Sequence, residues 1–211
     1  MDQRIKPILF NIEMIRAIRS GKKTMTRRVI RPQPEGAYTV ISMDENERVA
    51  YFMCNYPNSS EHFEWSVAAK APYWTNDILW VRETWTEFHG AYFYKADFRD
   101  CLEPLMDAQD AKWHPSIHMP RTAARIFLRV TDVRAERLQD ITPEEVDAEG
   151  CKEWGYSAKT GELLPSSPVL FSVRWNQTIE KSDLPRYGWD ANPWVWVIEF
   201  KSCDKPEGWC N

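Results

Sequence analysis

A run of seven residues near the end of the chain places the strongest constraint on the fold. The run from Trp194 to Phe200 (WVWVIEF) is β-branched or aromatic at every position except Glu199, which is the composition of a strand. A half-exposed strand alternates apolar and polar residues, but this run is apolar on both faces until Glu199. It therefore predicts a strand that is buried on both sides or that closes a barrel.

Other segments predict further short strands. Residues 78–86 and 125–133 have strand composition, and the second of these alternates well. Residues 38–42 and 48–53 indicate a hairpin around an acidic turn. Short strands thus dominate the sequence.

Two helices have clear start signals. Asn11 is a good N-cap in front of isoleucines at helical spacing, and Gly21 is placed to end that helix. Thr142 begins the second helix, where a proline follows and Glu145 completes a capping box. A short helix is also expected near residues 170–179. The whole pattern predicts an α+β, mainly β fold, which is a small β-barrel with peripheral helices.

Length and composition limit the class of protein. The 211 residues are enough for about one domain, and we expect a single domain over 1–211. The balance of 43% hydrophobic and 27% charged residues excludes wholesale disorder. No apolar run approaches the roughly 18 residues that a membrane helix needs, and the start lacks a secretion signal. The five cysteines are widely spaced, which favours reduced thiols and a cytoplasmic protein without a membrane partner.

Positive charge is concentrated at the start of an acidic chain. The net charge is −4, yet residues 1–35 carry nine Lys/Arg and three Asp/Glu. A basic segment on an acidic body can form a local anion site without general affinity for polyanions. A basic face without a ligand is an equally good interpretation of charge alone.

The densest polar cluster spans residues 20–28 (SGKKTMTRR), directly after the first helix. A hydroxyl beside a lysine can act as a nucleophile when the lysine is desolvated enough to lose its proton. Cations around a glycine turn can also hold a phosphate or a carboxylate. The competing structural explanation is an exposed strand edge that lysine protects from pairing with other chains.

Glu149 stands at the end of the second predicted helix, where a carboxylate meets the unfavourable end of the helix dipole. Such a glutamate is either exposed or held by a cation elsewhere, and the sequence alone favours exposure. His114 and His118 lack a matching cluster of metal-ligating residues. With no phosphate-binding glycine loop either, we expect no metal and no cofactor.

At these residues the chain resembles the ASCH-domain proteins, a branch of the PUA-like β-barrels. The resemblance rests on residues 20–28, on Asn76-Asp77-Ile78-Leu79-Trp80-Val81, on residues 138–149 and on Trp196 to Lys201. Asn76 stands where the family usually has glycine. The longer layout is similar to ASCH-like proteins of phages and prophages. Three segments have no counterpart in small members of the family and look like insertions, at about 36–72, 87–116 and 152–190.

One bacterial group of that family hydrolyses N(4)-acetylcytidine, and the resemblance transfers its catalytic residues to this chain. It implies Lys23 as the activating lysine, Thr26 as the nucleophile and Glu149 as the residue that orients Lys23 or relays a proton. Arg28, with Arg27 and Arg121, would bind the substrate. In a regular strand, residues three apart point to opposite faces, so Lys23 and Thr26 need a bulge or turn between them.

The function expected from the resemblance is hydrolysis of an acylated nucleobase or nucleoside amide. One alternative is a non-catalytic PUA-like module that binds RNA or a modified base through Arg27, Arg28, Arg121 and aromatic loop residues. A second alternative is an RNA nuclease. The partner is thus a small modified nucleoside or RNA, and the sequence leaves the oligomeric state open.

Overall fold

The computed structural model describes residues 3–55, 64–98, 112–151 and 168–209. The strands in these ranges are β1 (Ile5–Leu9), β2 (Met25–Val29), β3 (Ala37–Asp44), β4 (Val49–Asn55), β5 (Glu64–Lys70), β6 (Ile78–Arg82), β7 (Trp85–Phe88), β8 (Ala91–Tyr94), β9 (Phe127–Arg137) and β10 (Trp194–Cys203). The α-helices are α1 (Ile12–Arg19), α2 (Pro143–Ala148), α3 (Pro168–Thr178) and α4 (Leu184–Tyr187).

The main sheet has five strands in the order β1-β6-β9-β10-β2. β1 and β6 are parallel, and every other neighbouring pair is antiparallel. β1 is an outer strand, which accommodates Pro7 because a proline has no N–H to donate to a further neighbour. β2 is the outer strand at the opposite side of the sheet.

β10 is buried on both faces, as its sequence predicts. Val195 and Val197 pack into one hydrophobic core with Phe171 of α3. Trp196 and Ile198, which alternate with them, pack into a second core on the other face. β10 therefore separates two cores, and this explains why it has no polar face for most of its length.

The predicted hairpin of residues 38–53 is present as β3 and β4, and β5, which the sequence analysis missed, extends it to a three-stranded antiparallel sheet. This sheet occupies the first predicted insertion. Its Phe52 packs edge-on against Trp194 with ring centroids 5.0 Å apart. The insertion thus contributes to the same core as the main sheet. The other two predicted insertions fall partly outside the described residues.

The fold is mainly β with additional helices and several sheets, which agrees with the predicted α+β class. The strand pairing among the described residues does not form a closed barrel, since β1 and β2 do not pair with each other. At β2 the lack of a further paired strand has a local reason. The carbonyl of Met25 accepts from Lys23 Nζ and the N–H of Arg27 donates to Glu149 Oε1, so side chains occupy edge groups that a further strand would use.

The predicted helix starts are confirmed. The side chain of Asn11 accepts a hydrogen bond of 2.8 Å from the N–H of Met14. Thr142 and Glu145 form the reciprocal bonds of a capping box at α2. Over the described ranges, no helix is both long enough and apolar enough to span a membrane.

A buried ion pair fixes the start of β6. Asp77 is fully buried and accepts hydrogen bonds from Arg48 and from the backbone N–H groups of Trp74 and Arg4. Asn76 directly before it has a φ of 71°. Asparagine tolerates this left-handed conformation better than other residues with a side chain, which accounts for its presence at this position.

We predict that Asp77→Ala destabilises the protein by about 3–5 kcal/mol, because it leaves the buried guanidinium of Arg48 without its counter-charge. The free energy of unfolding in urea measures this loss. Asp190→Ala, at an exposed position, should change the stability by less than about 0.5 kcal/mol. Equal stability of the two variants would contradict the assignment.

Candidate functional site

A cavity of about 300 Å³ lies along the free edge of β2. The first turn of α1 forms one wall and α3 forms the opposite wall, while the end of α2 closes the base. Side chains from all of these elements line it, including Asn11, Thr26, Arg28, Glu149, Phe171 and Trp175. The cavity therefore lies where the two cores on either side of the main sheet meet the sheet edge.

Tight backbone pairing brings the two distant parts of the site together. After Gly21 ends α1 with a φ of 73°, the N–H of Lys23 donates back to the carbonyl of Ala17. Lys23 then forms an antiparallel bridge with Glu149, and the N–H of Thr24 donates to the carbonyl of Ala148 at 2.8 Å. The end of α2 is thereby fixed against the start of β2.

The side chains of Lys23 and Glu149 form a buried ion pair beneath the cavity. Nζ of Lys23 lies 2.6 Å from Oε2 of Glu149, and the side chains are 0% and 5% exposed. Nζ also donates to the carbonyl oxygens of Met25 at 2.7 Å and of Glu149 at 3.0 Å. Burial lowers the pKa of Lys23 below its ordinary value, while the carboxylate of Glu149 acts in the opposite direction.

Glu149 is held by cations and by backbone rather than exposed at its helix end. Its second oxygen, Oε1, accepts a hydrogen bond of 2.8 Å from the N–H of Arg27 and lies 3.6 Å from Nη1 of the same residue. These contacts compensate for the unfavourable position of a carboxylate at a helix C-terminus. Glu149 lines the cavity, whereas Lys23 does not.

Thr26 lies in β2, opposite Ile198 of β10, and it is 2% exposed. It contributes to the cavity lining, and within the described part of the chain its hydroxyl has no hydrogen-bond partner. Lys23 and Thr26 do not lie in one regular strand, because β2 begins only at Met25 and Lys23 forms an isolated bridge before it. Lys23 reaches the strand through the carbonyl of Met25, the residue directly before Thr26.

Cys151 also lines the cavity. Burial raises the pKa of this thiol to about 11, and the nearby carboxylate of Glu149 acts in the same direction. A thiol with so high a pKa is largely protonated at neutral pH and is a poor nucleophile. The cavity thus offers the Thr26 hydroxyl as its best-placed nucleophile.

The predicted substrate-binding arginines lie in three different environments. The guanidinium of Arg27 is fully buried and ion-paired, with Nη2 located 2.7 Å from Oε2 of Glu145. Arg28 lines the cavity and is partly exposed. Arg121 is exposed and stacks on Trp209, 4.2 Å from the ring centroid, and it does not line the cavity. The structure thus brings Arg27 and Arg28 to the same cavity as Thr26 and Glu149, with Arg27 already ion-paired, and places Arg121 elsewhere.

Helix α3 supplies cavity residues that the sequence analysis missed. Phe171 and Trp175 present aromatic rings on one helix face, and Arg174 and Gln177 add polar groups to the lining. The spacing of four between the two aromatic residues was a signal for a buried helix face, but nothing in the sequence connects that face to β2. Among the described residues, no group of three or more His, Cys, Asp and Glu side chains could hold a metal ion.

Comparison of the chain with protein-family models, with curated proteins and with solved structures finds no match. The function is therefore argued from the geometry of the site.

Gly150, directly after Glu149, packs closely against α1 and Lys23. It has a φ of 82°, and an added Cβ would lie 2.9 Å from Cβ of Ala17 and 3.1 Å from Cβ of Lys23. We predict that Gly150→Ala destabilises the protein by more than the about 1 kcal/mol that a positive φ alone costs. Urea unfolding measures the difference.

Gly90→Ala is the matched control, because Gly90 has a φ of 76° but open space around its Cβ position. If both variants lose the same stability, the close contact of Gly150 with Ala17 and Lys23 has no energetic effect.

Proposed function

We propose that this chain is a PUA-like ASCH-domain protein that hydrolyses an acylated nucleobase amide of the N(4)-acetylcytidine type, with Thr26 as the nucleophile. The observation that carries the proposal is the buried Lys23–Glu149 pair directly behind a cavity that Thr26 lines. Lysine, hydroxyl and carboxylate are the three groups that this chemistry requires.

The burial of the ion pair supports a functional role. Removing two charges from water costs several kcal/mol per ion, and apolar side chains of similar volume often stabilise a protein equally well. Ionisable groups with perturbed pKa values beside a cleft are enriched at catalytic sites. Both residues are buried, the pKa of Lys23 is shifted, and its partner Glu149 lines the cavity.

In the proposed reaction, the neutral amine of Lys23 removes the proton of the Thr26 hydroxyl as Oγ1 attacks the acyl carbonyl. The resulting ammonium group then returns a proton to the leaving exocyclic amine, and the acyl group remains on Thr26 as an ester. Water hydrolyses this ester with Lys23 again as the base, which releases the carboxylic acid and restores the hydroxyl. Nζ has three other acceptors in this structure, so the first step requires it to exchange one of them for the hydroxyl.

The cavity has the size and lining for such a substrate. A volume of about 300 Å³ is at the lower end of the range for small-molecule sites. Phe171 and Trp175 offer aromatic surface against which a base can stack. Polar groups from Asn11 and Gln177 line the same space and can pair with the edge of a base.

We predict that Thr26→Ala abolishes turnover of N(4)-acetylcytidine, with a loss of at least about 1,000-fold, because no hydroxyl remains to carry the acyl group. Release of cytidine, followed by chromatography, measures the rate. Thr24→Ala is the matched control, since Thr24 is an exposed threonine two residues away that does not line the cavity. Its turnover should equal that of the unmodified protein.

Absence of turnover in the unmodified protein, or equal turnover in Thr26→Ala, would overturn the proposal. The alternatives then become testable directly. A binding module would bind RNA with an affinity that falls steeply with salt, and a nuclease would cleave RNA in a manner that Lys23→Ala abolishes.

The pH dependence of turnover tests Lys23 as the base. Because burial lowers the pKa of Lys23 from 10.5, its amine becomes neutral at a lower pH than that of a free lysine. We predict that kcat/KM rises with pH and reaches a plateau below pH 10.5. A rate that is independent of pH, or one that falls as pH rises through this range, would exclude Lys23 as the base.

A further inference from the structure

A second cavity adjoins the first across the start of α1. It measures about 390 Å³ and shares lining residues with the first cavity, among them Asn11, Arg28 and Thr178. Beyond Arg28 its lining includes Thr84 and Ser116, which add hydroxyl groups. A ligand in the first cavity can therefore extend past Arg28 into a space that these hydroxyl groups line together with apolar side chains such as Leu9 and Ile12.

Arg28 lines both cavities. Its Nη2 donates to the carbonyl of Leu9 at 2.8 Å, and the guanidinium lies 5.4 Å from the ring centroid of Phe10. Within the described ranges it forms no ion pair with a carboxylate. Burial lowers the pKa of Arg28, while Tyr73 and the carboxylate of Glu149 act in the opposite direction.

Several other partly or fully buried arginines of this protein have such partners. Arg27 pairs with Glu145, Arg48 pairs with Asp77, and Arg125 binds Glu83 through two parallel bonds of 2.8 and 2.9 Å. These pairs follow the usual rule that a charge removed from water is matched by an opposite charge. Arg28 has no such partner among the described residues. Arg82 and Arg137 also bind a backbone carbonyl and an aromatic ring instead of a carboxylate, but only Arg28 of these three lines the two cavities.

The nearby acidic groups do not neutralise Arg28. Glu149 lines the first cavity but is already bound by Lys23 and by the N–H of Arg27. Glu13 lines both cavities but is an exposed residue of the first turn of α1, it forms no ion pair with Arg28 among the described residues, and it acts electrostatically on Arg174. The guanidinium of Arg28 is left to attract an anion from solution.

We propose that Arg28 binds the phosphate of the substrate, so that the site takes an acylated nucleoside monophosphate in preference to the neutral nucleoside. This inference rests on the proposed function for the identity of the base. Thr26 and Arg28 are two residues apart on the same face of β2. The acylated base occupies the first cavity beside Thr26, and the sugar and phosphate extend past Arg28 into the second.

Binding measured by calorimetry tests the proposal without turnover. Cytidine 5′-monophosphate should bind the full chain at least about 10-fold more tightly than cytidine, since a charge-assisted bond to a partly buried guanidinium forms only with the phosphate. Arg28→Gln should reduce the ratio to about 1. Arg31→Gln, at an exposed arginine paired with Asp183 outside both cavities, should retain the full ratio.

Equal affinity for the two ligands, a preference that persists in Arg28→Gln, or no binding of the monophosphate would overturn the inference. Hydrolysis of N(4)-acetylcytidine and of its 5′-monophosphate separates this inference from the proposed function. Hydrolysis of both at equal kcat/KM leaves the proposed function in place and refutes the phosphate preference. If the monophosphate binds in a manner that depends on Arg28 but neither compound is hydrolysed, the phosphate preference stands and the proposed hydrolysis is refuted.

The anion could also be a carboxylate on the acyl group, which would lie nearer to Thr26. N(4)-succinylcytidine is the probe for that source. If it is hydrolysed faster than the acetylated monophosphate, and the advantage disappears in Arg28→Gln, Arg28 recognises the acyl group and the assignment to phosphate is wrong.

Discussion

The contact between Lys23 and Glu149 is the constraint around which this site is organised. Two opposite charges with almost no exposure must satisfy every hydrogen-bonding group that they remove from water. They do so by using the backbone of β2, because Lys23 donates to the carbonyl of Met25 and Glu149 accepts from the N–H of Arg27. The same bonds occupy edge groups of β2 and attach the end of α2 to that strand. Thr26 therefore lies in a strand that pairs on one side only among the described residues.

The sequence of the polar cluster at residues 20–28 allowed two explanations, a lysine that activates a hydroxyl and a lysine that protects a strand edge. The arrangement of Lys23 has features of both. Lysine at an outer strand commonly prevents pairing with another chain, and Lys23 does occupy an edge carbonyl. It does so from a buried position, however, and with a carboxylate partner 2.6 Å away. An exposed lysine would protect the edge at a far smaller cost of desolvation. The proposed role of Lys23 in catalysis rests on this difference between the exposed and the buried arrangement.

The parts of the structure that the sequence predicted are those with strong local signals. β10 has a composition that only a strand buried on both faces satisfies, and the caps of α1 and α2 are formed by the residues Asn11 and Thr142 that precede them. The wall of the cavity formed by α3 was not predictable in this way. Its contact with β2 joins segments about 150 positions apart, and no local pattern encodes which distant element covers a helix face.

The environments of Arg27 and Arg28 show which features of a site a local sequence pattern can predict. Both are arginines in one basic cluster, and their neighbours in the sequence do not distinguish a structural cation from one available to a ligand. The two-residue period of a strand does distinguish them, because it sends consecutive side chains to opposite faces. On one face Arg27 meets Glu145, which α2 places there through its capping box. On the other face Arg28 meets Phe10, a carbonyl and the two cavities. The electrostatic character of the site thus follows from strand register and from the position of a helix start, rather than from the number of positive charges in the cluster.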